Sequence, residues 1–275
     1  MTHAQTLKRG TSSCFIQELT PENLKMLADA GVDCLEISGK TPFYEALDFF
    51  NNPEPYAKMA ADAGIELWSI HLPFSRKHDI SSENEEYRAQ IIDINERLIR
   101  AAGKIGIKVA VMHPSSEPIT DDIRPRRLAL SREAIIYLNG VAKECGVVLA
   151  VENLPRTCLC NKACEMVELV KGTGASVVFD TNHSLIQENV SFLAELIDAG
   201  IHIQTLHISD YDFVDERHRL PGDGLNNWNG ILAELERAGY TGPLMYEVPK
   251  CPSERDPIPV ETLVQNMKDL AQGKL

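Results

Sequence analysis

Six times along this chain an amphipathic segment ends on a glycine that is followed at once by apolar residues: Ala30-Gly31-Val32, Ala63-Gly64-Ile65, Ile105-Gly106-Ile107, Cys145-Gly146-Val147, Ala199-Gly200-Ile201 and Ala238-Gly239-Tyr240. A glycine just past a helix end takes the left-handed conformation that closes the last turn, and the apolar residue after it covers that turn. The runs that follow, such as Val109-Ala110-Val111-Met112 and Val147-Val148-Leu149-Ala150-Val151, are continuous rather than alternating. That is the pattern of parallel strands buried on both faces.

Between the runs lie amphipathic segments at Pro21 to Ala30, Tyr44 to Ala63, Glu83 to Lys104, Arg126 to Glu144, Ala163 to Lys171, Val190 to Ala199, Asn227 to Ala238 and Val260 to Ala271. Thr20-Pro21-Glu22 supplies an N-cap followed by a proline at the first helical position. With Cys14-Phe15-Ile16 and Cys34-Leu35-Glu36-Ile37-Ser38 as the first two strands, the chain predicts about eight strand and helix pairs, the number that closes a barrel. The expected architecture is an α/β fold, a single (β/α)8 barrel spanning residues 1–275 as one domain. The 275 residues are the usual length for one such barrel. An open doubly wound sheet would carry G-x-G-x-x-G after its first strand. Here Gly222-Asp223-Gly224 is the nearest approach, and it follows the seventh strand instead.

Six of the apolar runs end on a residue that binds metals or moves protons: His71, His113, Glu152, Asp180, His207 and Glu247. In a closed barrel the carboxyl ends of the strands form one rim, where enzymes of this architecture carry their chemistry. Glu152, Asp180, His207 and Glu247 come from strands five to eight, which places them side by side on one arc. Three carboxylates and an imidazole suit Mn²⁺, Mg²⁺, Co²⁺ or Zn²⁺ and lack the thiolates that would select zinc or copper. His71, His113 and His183, from Asp180-Thr181-Asn182-His183, share the rim and could hold a second metal or grip substrate oxygens. His78 and His202 read as structural or surface histidines.

The segment from His207 to Gly224 is too long and polar for a simple connector, and long loops after barrel strands serve as lids or substrate-binding elements. Arg217 and His218 are its candidate substrate contacts. Arg156, four residues past Glu152, can reach the mouth to hold an anionic or hydroxylated substrate. Arg124, Arg126, Arg127 and Arg132 gather around the start of the fourth helix, where solvated ion pairs are the ordinary outcome.

Bulk properties narrow the partners. The 40 acidic residues against 27 basic ones give a formal charge of −13, which argues against a protein evolved to hold nucleic acid. The seven cysteines (Cys14, Cys34, Cys145, Cys158, Cys160, Cys164 and Cys251) are an odd number in a chain too large to need staples, so a reduced, cytoplasmic protein with free thiols is expected. Cys158, Cys160 and Cys164 form C-x-C-x-x-x-C, without the paired C-x-x-C of structural zinc. No basic start followed by an apolar stretch marks a signal peptide, and no apolar run reaches the roughly 18 residues of a membrane span.

Taken together, Ile70-His71-Leu72-Pro73, Met112-His113-Pro114, Val151-Glu152-Asn153, Phe179-Asp180-Thr181-Asn182-His183, Leu206-His207-Ile208-Ser209-Asp210, Pro221-Gly222-Asp223-Gly224 and Tyr246-Glu247-Val248 resemble the xylose-isomerase-like TIM-barrel superfamily over nearly the whole chain. That superfamily includes sugar isomerases and epimerases and the apurinic-site endonucleases. The resemblance to the isomerase branch implies one divalent ion on Glu152, Asp180, His207 and Glu247. It also implies that Glu152 and Glu247 face opposite sides of a small carbohydrate substrate, one removing the proton beside the carbonyl and the other returning it through a metal-stabilised enediolate. His183 would orient the substrate oxygens. The endonuclease branch would instead place two or three zinc ions on a set including His71, His113, His183 and His218, but its aspartate position falls on or near Glu216, a departure that puts the third metal in doubt.

The expectation is therefore a metal-dependent sugar isomerase or epimerase, with a zinc phosphodiesterase and a catalytically inactive binding barrel as alternatives. A homo-oligomer is compatible with it, and the sugar, its phosphorylation and the metal are left open.

Overall fold

The computed structural model describes residues 2–252 and 256–275. Eight parallel strands run β1 (Arg9–Ser12), β2 (Cys34–Ser38), β3 (Glu66–His71), β4 (Val109–Met112), β5 (Val148–Glu152), β6 (Ser176–Asp180), β7 (Ile203–His207) and β8 (Leu244–Tyr246). The helices are α1 (Pro21–Ala30), α2 (Thr41–Ala46), α3 (Glu54–Ala63), α4 (Glu85–Lys104), α5 (Arg124–Glu144), α6 (Ala163–Val170), α7 (Asn189–Asp198), α8 (Trp228–Arg237) and α9 (Val260–Ala271). The strand order β7-β6-β5-β4-β3-β2-β1-β8 leaves β7 and β8 as the two ends. They are joined just past β7, where the Ile208 amide donates to the Met245 carbonyl at 2.8 Å and the Glu247 amide to the Ile208 carbonyl at 3.0 Å. The result is a single (β/α)8 TIM barrel.

All six punctuating glycines have positive φ. Gly31, at φ 106°, donates back to the last carbonyls of α1, and Gly64, at φ 79°, does the same for α3.

Pleating divides each strand between two cores. Val109, Val111, Ala150 and Val178 form a small cluster inside the barrel, with Trp68 against it. Ala110, Leu149, Val151, Val177 and Phe179 face outward and join the large core beneath the helices. A residue two places after an inward one is again inward, so His113, Glu152 and Asp180 follow Val111, Ala150 and Val178 into the mouth. The alternation set up in β4, β5 and β6 thus aims these three side chains inward at or just past the strand ends.

Two expectations are corrected. The first strand is Arg9–Ser12, and Ser13–Phe15 is a 3-10 turn that Ser12 caps by accepting from the Cys14 amide at 3.4 Å. The strand has no apolar run because Gly10 lies hard against Met245, 2.8 Å from where a Cβ would stand, while Phe15 is buried from the turn. The segment Tyr44 to Ala63 is two helices, interrupted where Asp48 takes φ 47° and Pro53 precedes Glu54. Among the described residues no helix is long and apolar enough to cross a membrane, and the seven cysteines are free thiols.

Candidate active site

Glu152 lies at the centre of the rim, fully buried. Its Oε1 is 2.9 Å from His207 Nδ1 and 3.4 Å from His183 Nδ1, and its Oε2 is 3.2 Å from both His71 Nε2 and His113 Nε2. Burial alone would push this carboxyl up, but the imidazoles of His207 and His113 outweigh it and hold the group well below the usual carboxylate range. Glu247 behaves alike: burial opposes ionisation, and His207 and His218 lower its pKa overall.

Asp180 is the exception. Burial comes first and the negative charges of Glu152 and Glu247 second, and together they push its carboxyl well above the usual range. Its Oδ1 accepts from the Asn182 amide at 2.5 Å. Its Oδ2 has no hydrogen-bond partner, with His183 Nδ1 at 3.6 Å and His207 Nδ1 at 3.7 Å the neighbouring imidazole nitrogens.

The histidines sort by what their second nitrogen does. His71 Nδ1 is 2.8 Å from the Leu72 carbonyl and His183 Nδ1 is 2.9 Å from the Asn153 carbonyl. A carbonyl only accepts, so in both rings Nδ1 carries the proton and Nε2 is left for the site. Burial opposes a charge on His71, yet the hydrogen bond and charge of Glu152 raise its pKa. In His113 burial prevails and the pKa falls. His207 is raised well above 6.5 against the effect of burial by Glu152, Glu36 and Glu247.

Glu36 was not singled out from the sequence. It is fully buried on β2, 3.1 Å from His207 Nε2, and accepts from Ser69 Oγ at 2.8 Å. A glutamate inside the apolar run Cys34-Leu35-Glu36-Ile37 was the visible signal. Phe74 is a second addition, stacked on His113 with ring centroids 4.5 Å apart.

Above the rim lies a cavity of about 220 Å³ whose lining includes Phe74, His113, Glu152, Arg156, His183 and Glu247, with Glu117, Glu216 and His218. His218 donates from Nδ1 to the Glu247 carbonyl at 3.1 Å. Arg217 does not line the cavity: its Nε donates to Asp212 at 2.8 Å, within its own loop. Three of the four arginines of α5 are used internally, and Arg126 is exposed. Arg124 binds Glu165 and the Cys158 carbonyl, Arg127 pairs with buried Asp79, and Arg132 caps carbonyls at the end of α6.

One ligand atom from each of Glu152, Asp180, His207 and Glu247 fits within a mutual distance of 4.8 Å, and the same holds for His71, Glu152 and His207. The orphaned Asp180 oxygen and the crowding of carboxylates around His207 are what a cation would relieve.

Residues 24–269 match the family described as "Xylose isomerase-like TIM barrel". The chain belongs to that family. It is 24% identical over 249 residues to the uncharacterized protein MJ1311 of Methanocaldococcus jannaschii, covering 88% of this chain and 83% of that protein. It is 23% identical to the L-ribulose-5-phosphate 3-epimerase UlaE of Salmonella paratyphi C, covering 82% and 81%. Among solved structures, a D-tagatose 3-epimerase-like protein superposes with a TM-score of 0.81 at 22% identity, covering 98% of each chain.

Proposed function

We propose that this member of the family is a divalent-metal-dependent isomerase or epimerase of a small polyhydroxylated carbonyl compound, acting as one domain over residues 1–275 with its active site at the strand ends. One observation carries the reading. The four candidate ligands Glu152, Asp180, His207 and Glu247 share a 4.8 Å cluster at the floor of a monosaccharide-sized cavity, and two of them, Glu152 and Glu247, also line that cavity. The similarity to sugar epimerases supports it.

Bound by these four residues, a Mn²⁺, Mg²⁺, Co²⁺ or Zn²⁺ ion would supply a Lewis acid toward the substrate carbonyl and the negative charge that develops on it. The proton is handled by the chain. Glu152 is held ionised, and its two oxygens are divided: Oε1 faces His207 and the ligand cluster, whereas Oε2 faces His71 and His113. Oε2 is therefore the atom that takes or returns the proton on the carbon beside the carbonyl. Glu247, one residue past β8 and in the cavity wall, serves the opposite face. His71, anchored through Leu72, fixes the Glu152 plane. His113, kept neutral by burial, stands between Glu152, 3.2 Å from its Nε2, and the cavity that would hold the substrate hydroxyls, while Phe74 stacked on it offers carbon-bound hydrogens an apolar wall. His183, whose Nε2 lies 3.3 Å from Glu216, helps close the wall around the substrate oxygens, with Arg156 above.

The test is isotope exchange. Chelated protein, reloaded with each of the four metals, is incubated with ketoses in deuterium oxide and followed by NMR. We expect metal-dependent deuterium at the carbon beside the carbonyl, and loss of turnover in both Glu152→Gln and Glu247→Gln. Turnover that survives either substitution would overturn the two-carboxylate mechanism.

The cluster of His71, His113 and His183 around Glu152 favours one other reading, phosphodiester hydrolysis on two or three zinc ions. The cavity of about 220 Å³ and its acidic lining oppose it. Zinc-loaded protein should leave an abasic duplex uncut.

A further inference from the structure

We infer that the mouth selects neutral, unphosphorylated substrates, because the protein's own carboxylates already occupy both places where a phosphate could be held. The inference rests on the reading of the cavity as a sugar site.

The first place is Arg156. Among the described residues it is the one lysine or arginine lining the cavity, which also carries Glu117, Glu152, Glu216 and Glu247. Its Nε lies 3.2 Å from both oxygens of Glu117, its Nη1 2.9 Å from Asp215 and its Nη2 3.3 Å from Glu216. A guanidinium recognises phosphate by presenting a free fork of parallel N–H groups. Here the fork is spread over three carboxylates from two loops, and a phosphate would have to displace them. Nor do the imidazoles offer an uncommitted charge. His113 is 3.2 Å from Glu152, His183 is 3.3 Å from Glu216, and His218 is 3.9 Å from Glu247.

The second place is the loop after β7. Barrels of this type bind phosphate on backbone amides contributed after strands seven and eight. The donors are present: the amides of Tyr211, Gly222 and Asn226 and the indole of Trp228 converge. They converge on the carboxylate of Asp210, at 2.9 to 3.1 Å, and that side chain is fully buried. Gly224 closes the packing, since a Cβ there would stand 2.4 Å from Asp210 Oδ1. An internal anion fills the nest.

A phosphate ester would therefore enter a mouth lined by Glu117, Glu152, Glu216 and Glu247 with no uncommitted side-chain cation to meet it beyond the metal that binds the carbonyl end, and like charges in such proximity suppress the wrong partner strongly. The experiment compares matched pairs on the manganese-loaded protein: D-ribulose against D-ribulose 5-phosphate and D-fructose against D-fructose 6-phosphate for turnover, and ribitol against ribitol 5-phosphate for calorimetric binding. We expect kcat/KM and affinity to favour the free compound by at least about 100-fold, and millimolar inorganic phosphate to leave turnover unchanged. If neither ketose class reacts but ribitol binds better than its phosphate, the epimerase reading falls and the charge selection stands. Equal or tighter binding of the phosphate, or binding of neither polyol, overturns the inference. Glu117→Gln combined with Asp215→Asn releases two of the three partners of Arg156, and the ratio between free and phosphorylated ligand should fall by about tenfold or more. An unchanged ratio would overturn the role given to Arg156.

Discussion

Asp180 and Asp210 are both aspartates at the mouth of the barrel, both fully buried, and they differ in every hydrogen bond that matters. Asp210 has two donors on each oxygen: Tyr211 and Asn226 amides on Oδ1, the Gly222 amide and the Trp228 indole on Oδ2. Asp180 has a single amide on Oδ1 and no hydrogen bond on Oδ2. Burying a carboxylate is costly unless its lone pairs are satisfied. A saturated carboxylate holds a loop together, whereas one buried beside other carboxylates and left short of donors is suited to a cation. The contrast separates structure from chemistry among side chains of one type at one rim.

The largest effects should come from exchanging the two aspartates for asparagine. Asp180→Asn should lower turnover at least about 10³-fold, the scale of losing several kcal/mol of transition-state stabilisation. It should also abolish the thermal shift given by manganese, while metal-free stability stays level or rises because an unpaired buried carboxylate is gone. Asp210→Asn should do the reverse. An amide oxygen cannot serve all four donors, and leaving buried donors unpaired should cost about 3 kcal/mol in denaturant unfolding, with manganese uptake by the folded fraction retained. Equal stability losses in the two variants would erase the distinction.

Glu36 tests the same distinction at one remove, since it touches the candidate ligand His207 and does not line the cavity. A carboxylate on the far nitrogen orients a metal-binding imidazole and keeps its proton away from the metal, and loss of such a partner costs about 10- to 100-fold in affinity. Glu36→Gln preserves shape and should weaken manganese binding in chelator competition by an amount within that range, with turnover recovered at excess metal. Unchanged affinity would make Glu36 a structural residue only.

What could be read in the sequence follows from the same physics. Strand ends in β3 to β7 were legible because buried parallel strands need continuous apolar residues, and His71, Glu152, Asp180 and His207 each stand at the last position of one. The first strand was not, because Gly10 packs against Met245 and its neighbours are polar. The meeting of Glu152, Asp180, His207 and Glu247 as candidate ligands followed from barrel closure. The saturation of Asp210 did not, since its donors come from Gly222, Asn226 and Trp228 at 12 to 18 residues' remove, a loop geometry with no periodicity to betray it. Arg156 and Arg217 looked alike as mouth cations. Only the fold distinguishes the one in the cavity wall from the one turned to Asp212.

The smallest expected effect is on the pH dependence of the metal-free protein, and its sign can be worked out group by group. His207 is raised well above 6.5 in the fold, so its contribution is complete below the unfolded pKa and is lost as pH rises through the folded one. Asp180 is raised well above 3.8, so the unfolded chain ionises first and the fold loses stability as pH climbs from there toward the folded value. Glu152 is depressed, and its contribution is lost only in acid, as pH falls from 4.5 through the folded value. Above pH 6.5 the raised imidazoles of His207 and His71 still act, and both point downward, by up to about 1.4 kcal/mol per pH unit for each proton the fold retains. Metal binding demands that His207 be deprotonated, so the stabilisation given by manganese should grow over the same interval. Chemical denaturation at pH 6.5 and pH 8.5, with chelator and with manganese, reads both slopes. A metal-free slope that is flat, or that persists unchanged in Asp180→Asn with His207→Gln, would show that the cluster is not the source and that the pairing of Asp180 with His207 carries no linkage.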